Sequence, residues 1–208
     1  MQTDNPSRGD QTRANILAQA YRLFLKQGYH GTSMRQIADA ADIALGAIYN
    51  HFSGKEALFK EVFLENHPYQ EMLPAVIAAS GDDPEGMVRD MARRMVDALL
   101  HRPAFLNLLF IELVEFNSVH TVELYENILP QVTQSIERMM NTWKDRIRPV
   151  PPVVLARAFI GLFFSYYLTD QILKPITKLP APLQTQMQIN TMDNFVDIFL
   201  HGILKGEI

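Results

Sequence analysis

Between Gly28 and Leu58 the chain reads GYHGTSMRQIADAADIALGAIYNHFSGKEAL, and the chemistry of its polar groups is that of nucleic-acid contact rather than catalysis. Tyr49, Asn50 and His51 carry a phenol, a carboxamide and an imidazole that can reach phosphates or base edges. Gly46 and Ala47 precede them, where a bulkier residue would block approach to a groove. Two short helices, Gln36 to Ala41 and near Ala44 to Asn50, joined by a tight turn, read as a helix-turn-helix. Signatures of catalysis are missing: the six His are scattered, and there is no HExxH, glycine-rich phosphate loop, GxSxG elbow or paired-metal spacing. No enzyme activity, metal or cofactor is expected.

Flanking elements must hold these residues in place. Asp10 can cap a first helix whose Ile16, Leu17, Ala20, Leu23 and Phe24 share one face, and Gly28 supplies its stop. Ser33 with Gln36, and Ser53 with Glu56, have capping-box spacing. Ile37, Ala38, Ile43, Ile48 and Phe52 are the expected core of the reading head. A fourth helix from Gly54 should persist until Pro68 and Pro74 disturb it. Asp83 before Pro84 reads as the start of a helix to about Leu100, and Pro103 opens another through Val114. Thr121 can start a long helix ending near Arg148, kinked at Pro130. Apolar helices from Val153 to Leu173 and from Leu183 to Leu204 complete an all-α fold of about nine helices. The expected division is 1–53 for the reading head, 54–80 for a connecting helix and 81–208 for a larger helical domain.

The chain has 208 residues, 48% of them hydrophobic, enough for a real core, and it has no Cys, which excludes disulfides and thiolate metal sites. Its polar start and the Arg157 that interrupts the run from Val153 to Leu168 point to a soluble cytoplasmic protein with no membrane segment. The formal charge of −4 is unevenly placed. Residues 1–65 carry seven Lys plus Arg and seven Asp plus Glu, so the head is neutral and the acidity lies beyond it. A neutral head has a weak nonspecific field, so DNA affinity would depend on placed phosphate contacts and on two heads acting together.

From about Thr12 to Phe63 the chain resembles the DNA-binding domain of the tetracycline-repressor (TetR) family of bacterial transcription regulators. The likeness runs through Gly28, Tyr29, Thr32, Ile37, Ala38, Ala41, Ile43, Gly46, Ile48, Tyr49, His51, Phe52, Lys55, Glu56 and Leu58. The resemblance implies that the third helix enters the major groove of an operator in double-stranded DNA. Thr32 and Ser33 would then place hydroxyls near phosphate, and Arg35 would reach a phosphate or a guanine edge. Tyr49 and His51 would bond phosphates, unless they pack or bond within the protein. Lys55, with the amides of Gly54 and Lys55, would hold another phosphate, unless it is simply solvated. Two departures from the family pattern are Ala44, where a Ser or Thr cap is frequent, and Leu45, where a polar residue is frequent. Leu45 and Ala47 would face base edges and favour thymine methyls, unless Leu45 is buried against the first helix.

One head offers few base contacts, so a homodimer on an inverted repeat is expected. Ala158, Gly161 and Ser165 form a strip where helices can approach closely, and Ile189, Met192, Phe195, Val196 and Phe199 give the last helix an apolar face. The resemblance further implies a small-molecule effector bound among the middle helices. Met91, Met95, Phe105, Leu109, Phe116, Trp143, Phe163 and Tyr166 are candidate contacts, and their character favours a hydrophobic ligand. Glu112 shares a helical stripe with Phe105, Leu108, Leu109 and Phe116; it would meet either a cationic ligand or one of Arg93, Arg94 and Arg157. The family default is a repressor released by its effector; the alternative is a helical interaction module that has lost sequence-specific DNA binding.

Overall fold

The computed structural model describes residues 7–79, 81–173 and 191–204, with residues 176, 180 and 182 between the last two segments. Among these the chain is helical without strands: nine helices longer than one turn and a single-turn α3. It divides into two compact units that interleave in sequence, Met1–His67 with Arg102–Leu124, and Pro68–His101 with Tyr125–Ile208. The expected domains followed chain order, with limits at 53 and 80. In the structure the fourth helix and the stretch from residue 102 to 124 belong with the reading head.

In the first unit, α1 (Arg8–Gln27) starts at Ser7, not at Asp10. Asp10 lies one turn in and closes a capping box with Ser7, so the predicted cap is its partner. Gly28, at φ 74°, ends α1 in a conformation that few side chains accept. The second helix, α2 (Met34–Ala40), begins with the expected Ser33–Gln36 box. It ends in a turn at Asp42, φ 56°, where the Ile43 amide donates to the Ala38 carbonyl at 3.1 Å. Asn15 of α1 donates to the Ala41 carbonyl at 3.0 Å, satisfying another α2 end group and tying the two helices together. Then come α3 (Leu45–Ile48) and α4 (Lys55–Asn66). The expected Ser53–Glu56 box is absent: the residue before α4 is Gly54, and no side chain caps that end.

Ile16, Ala20, Phe24, Ile37, Ala38, Ile48, Leu58, Phe59 and Phe63 are all buried in one core. Phe52 joins them as expected, whereas Ile43 is only half-buried. Two further segments dock on this body, α7 (Phe105–Glu115) and the first turn of α8 (Val119–Thr142). Phe116, between them, meets Tyr29 edge-on and stacks on Phe59, each at 4.7 Å between centroids.

The second unit holds α5 (Tyr69–Ile77), α6 (Pro84–Leu100), the rest of α8, α9 (Pro152–Leu173) and α10 (Thr191–Ile203). Asp83 caps α6 as expected, accepting from the Gly86 amide at 2.7 Å. Pro74 does not end a helix: it lies inside α5, and the break comes at Pro68. Arg89 of α6 donates to Asp193 and Asp197, one turn apart on α10, at 2.9 and 2.6 Å. The shared core includes Ala92, Met95, Val96, Phe159, Phe163, Val196 and Phe199. By length and composition α9 could cross a membrane, contrary to the expectation that Arg157 prevents this. Its Leu155, Ala156, Phe159, Phe163 and Tyr167 are buried within the unit, while Val153, Val154, Ile160 and Ile172 are exposed.

Candidate nucleic-acid interface and ligand cavity

The residues proposed to meet DNA separate into an outward set and an inward set. Tyr49, at 52% exposure, Asn50, Ser33 and Arg35 face solvent, and His51 is half-buried. A side chain at Gly46 would meet no atom within 4 Å, so the surface around α3 is open. Leu45 and Ala47 are half-buried and Ala44 is exposed, with no side-chain cap on α3. Of these candidates, Arg35, Tyr49 and Asn50 are therefore the large polar groups presented outward; Gln36 and Asp39 of α2 are exposed beside them.

Thr32 and Lys55 belong to the inward set, contrary to their expected phosphate roles. Thr32 is 1% exposed, and its hydroxyl donates to the Gly28 carbonyl at 2.8 Å. The Lys55 ammonium donates to the carbonyls of Tyr29 and Thr32, both at 2.8 Å, and lies 4.1 Å from the centre of the Tyr29 ring. It closes the end of the α1–α2 connection, supplying the donor for the Thr32 carbonyl and a second one for the Tyr29 carbonyl, which also accepts from the Thr32 amide at 3.2 Å. Burial lowers its pKa, partly opposed by Glu115, while burial with Glu56 and Glu115 raises that of Tyr29. The Ser33 hydroxyl, though exposed, is engaged with Gln36.

Glu112 meets neither of its expected partners. It is 0% exposed, and one carboxylate oxygen accepts from the amides of His120 and Thr121 at 2.7 and 3.1 Å. The other oxygen lies 2.8 Å from His120 Nδ1. It thus caps the start of α8 from the preceding helix, across a corner where Asn117 and Ser118 adopt φ of 50° and 66°. The stripe spacing identified a buried carboxylate. It held no information that the chain turns back and offers α8 amides as the partner.

Of the other effector candidates, Phe105, Leu109 and Phe116 lie in the first unit with Glu112. Met91, Met95 and Trp143 line a cavity of about 330 Å³ in the second unit, walled by α5, α6, α8, α9 and Phe199 of α10. Phe163 and Tyr166 are in that unit but do not line it. Met72, Val76 and Arg138 do, and the sequence analysis missed them; Met72 and Val76 are spaced as one helical face, the only signal available. Of the interface candidates, Ala158, Gly161 and Ser165 are exposed along one face of α9, with open space at Gly161. Phe199, by contrast, is buried against Phe159 at 5.5 Å and belongs to the internal core and the cavity wall. Phe195 meets Tyr166 edge-on, Met192 packs on the core, and Ile189 lies outside the described residues.

This geometry is that of a helix-turn-helix DNA-binding regulator with a second helical unit. The family model described as "Bacterial regulatory proteins, tetR family" matches residues 16–62. The HTH-type transcriptional regulator AcrR of Shigella flexneri is 49% identical over 53 residues, 26% of this chain and 25% of that protein. The "Probable acrEF/envCD operon repressor" of Escherichia coli (strain K12) is 30% identical over 202 residues, covering 91% of both chains. The crystal structure of NalD, the secondary repressor of the MexAB-OprM multidrug efflux pump in Pseudomonas aeruginosa, has the same fold. It superposes at a TM-score of 0.65 with 22% identity over 96% of this chain and all of that one. The chain belongs to the tetR family of bacterial transcriptional regulators.

Proposed function

We propose that this regulator is a repressor that binds a palindromic operator as a homodimer in the cytoplasm and is released by a small hydrophobic effector. The observation that carries the DNA reading is the outward set, Arg35, Tyr49 and Asn50 around the open surface at Gly46. The uncapped amides at the start of the twelve-residue α4 support a phosphate position that does not need Lys55. Leu45 and Ala47 give the base-facing side an apolar character matched to thymine methyls. The exposed strip Ala158, Gly161 and Ser165 on α9 is the proposed dimer face. The apolar cavity supports effector binding, and release requires that the effector favour the conformation that binds DNA poorly. The fourth helix, which runs from the reading head to the chain crossing at His67–Pro68, is the proposed lever.

The test is fluorescence anisotropy of a labelled duplex carrying the gene's upstream region, titrated beside a scrambled duplex at several salt concentrations. Salt-sensitive binding that favours the upstream duplex supports the reading. Failure there, and in a selection from random duplexes, would leave the interaction-module alternative, favoured by the inward Thr32 and Lys55 and the uncapped Ala44.

A further inference from the structure

The cavity in the second unit has a polar edge of one sign. Its wall contains five methionines, Met72, Met87, Met91, Met95 and Met139, among other apolar side chains. The polar lining residues are Ser135, Arg138, Thr142 and Trp143, all on α8 or just beyond its end. Two of these are already engaged: Ser135 donates to the Gln131 carbonyl at 2.9 Å, and Thr142 to the Arg138 carbonyl at 3.0 Å. The Arg138 guanidinium has no ion pair among the described residues and is the single charge in the described lining, which contains no carboxylate. Glu112, the acid once matched to a cationic ligand, is in the other unit and engaged there.

From this arrangement we infer that the effector is an anionic amphiphile, its apolar body among the methionines and its negatively charged head at Arg138. The inference rests on the effector-cavity reading above and adds the sign of the ligand's charge. Burying an apolar chain supplies most of the affinity, and the flexible thioethers accommodate its shape. The head stays at the rim because Arg138 is exposed, so a carboxylate keeps part of its hydration while gaining a charge-assisted hydrogen bond. Among charged groups of the described lining, a cationic head would meet only the like charge of Arg138. A cavity of about 330 Å³ is at the small end of ligand sites, which favours a medium-length chain over a long one.

Trp143 lines the cavity and is the chain's single tryptophan, so its fluorescence reads occupancy without DNA. The whole protein is titrated at pH 7.5 with decanoate, decan-1-ol and decyltrimethylammonium, each below its micelle-forming concentration. Decanoate is expected to bind about three- to tenfold tighter than decan-1-ol, with the ammonium weakest, the modest factor reflecting an exposed guanidinium. R138Q is expected to abolish the preference for decanoate over decan-1-ol. Equal binding of decanoate and decan-1-ol by the wild type, tightest binding of the ammonium, or an unaltered preference in R138Q overturns the charge assignment but leaves the cavity reading intact. No saturable signal from any of the three overturns the cavity reading and this inference with it.

Discussion

The two units of this regulator treat their interiors in opposite ways. The reading head keeps its hollow away from its centre: Ile37, Ala38, Ile48, Phe59 and Phe63 are inaccessible, inward-turned polar groups such as Thr32 and Lys55 are spent on backbone carbonyls, and a pocket of about 330 Å³ is lined largely by polar and charged groups of α1 and the end of α4. The second unit leaves a cavity of about 330 Å³ and lines it with methionine, the most adaptable apolar side chain. A surface that must match a fixed groove needs rigid support, whereas a site for a small molecule needs room and tolerance. The same pressure for helical packing thus leaves a polar-lined recess beside the core in one unit and an apolar-lined cavity within the core in the other.

The sharpest way to break this comparison is at Glu112. Replacing it by Ala leaves two α8 amides and His120 without their buried acceptor, and a stability loss of about 3–5 kcal/mol is expected in urea unfolding. A loss near 1 kcal/mol would mean that the corner is less rigid than the geometry implies.

His67 offers a pH test of the same unit. Burial, with the nearby positive charge of Arg102, lowers its pKa from 6.5 to about 4. Because the folded state binds the proton less readily than the unfolded state, stability is fully present above pH 6.5 and falls as the pH drops from 6.5 to about 4. His67→Gln should remove about 2–3 kcal/mol of that acid sensitivity, seen by comparing unfolding of the two proteins at pH 7 and pH 4.5.

Lys55→Met separates structural from DNA-contacting cations. Losing its two hydrogen bonds should cost about 1–2 kcal/mol of stability while leaving the salt dependence of operator binding unchanged. Arg35→Met is expected to do the reverse, making the salt dependence shallower by about one unit if the guanidinium meets a phosphate. A shallower slope for Lys55→Met would return that residue to the interface.

The smallest effect belongs to the hollow unit. Met91→Ala removes a side chain that already borders empty space, so about 1 kcal/mol is expected, against about 3 kcal/mol for Ile37→Ala in the filled head. Comparable losses in the two variants would show that the cavity wall is as tightly constrained as the head.

Local signals account for what could be read without coordinates. The Ser33–Gln36 box, the stop at Gly28, the Asp83–Pro84 start and the 3.6-residue apolar period of α1 and α2 act within a few residues, and each appears where expected. Errors begin where a local pattern has a competitor. Ser7 outbids Asp10 for the start of α1 because the pair satisfies two amides at once, and Gly54 begins α4 with no box at all. Phe199 looks like an interface residue in a helical wheel, but α10 turns that face toward Phe159.

The sequence by itself determined the family, the all-helical class and the position of the reading helix, because these depend on residue types at short, fixed spacings. Which polar groups are available to a ligand was decided only by tertiary structure. Lys55, Thr32 and Glu112 find partners that are 23, 4 and 8 residues away in the chain, respectively. The cavity likewise exists only where α5, α6, α8, α9 and α10 converge, and spacing along any one of them cannot state what the others leave unfilled.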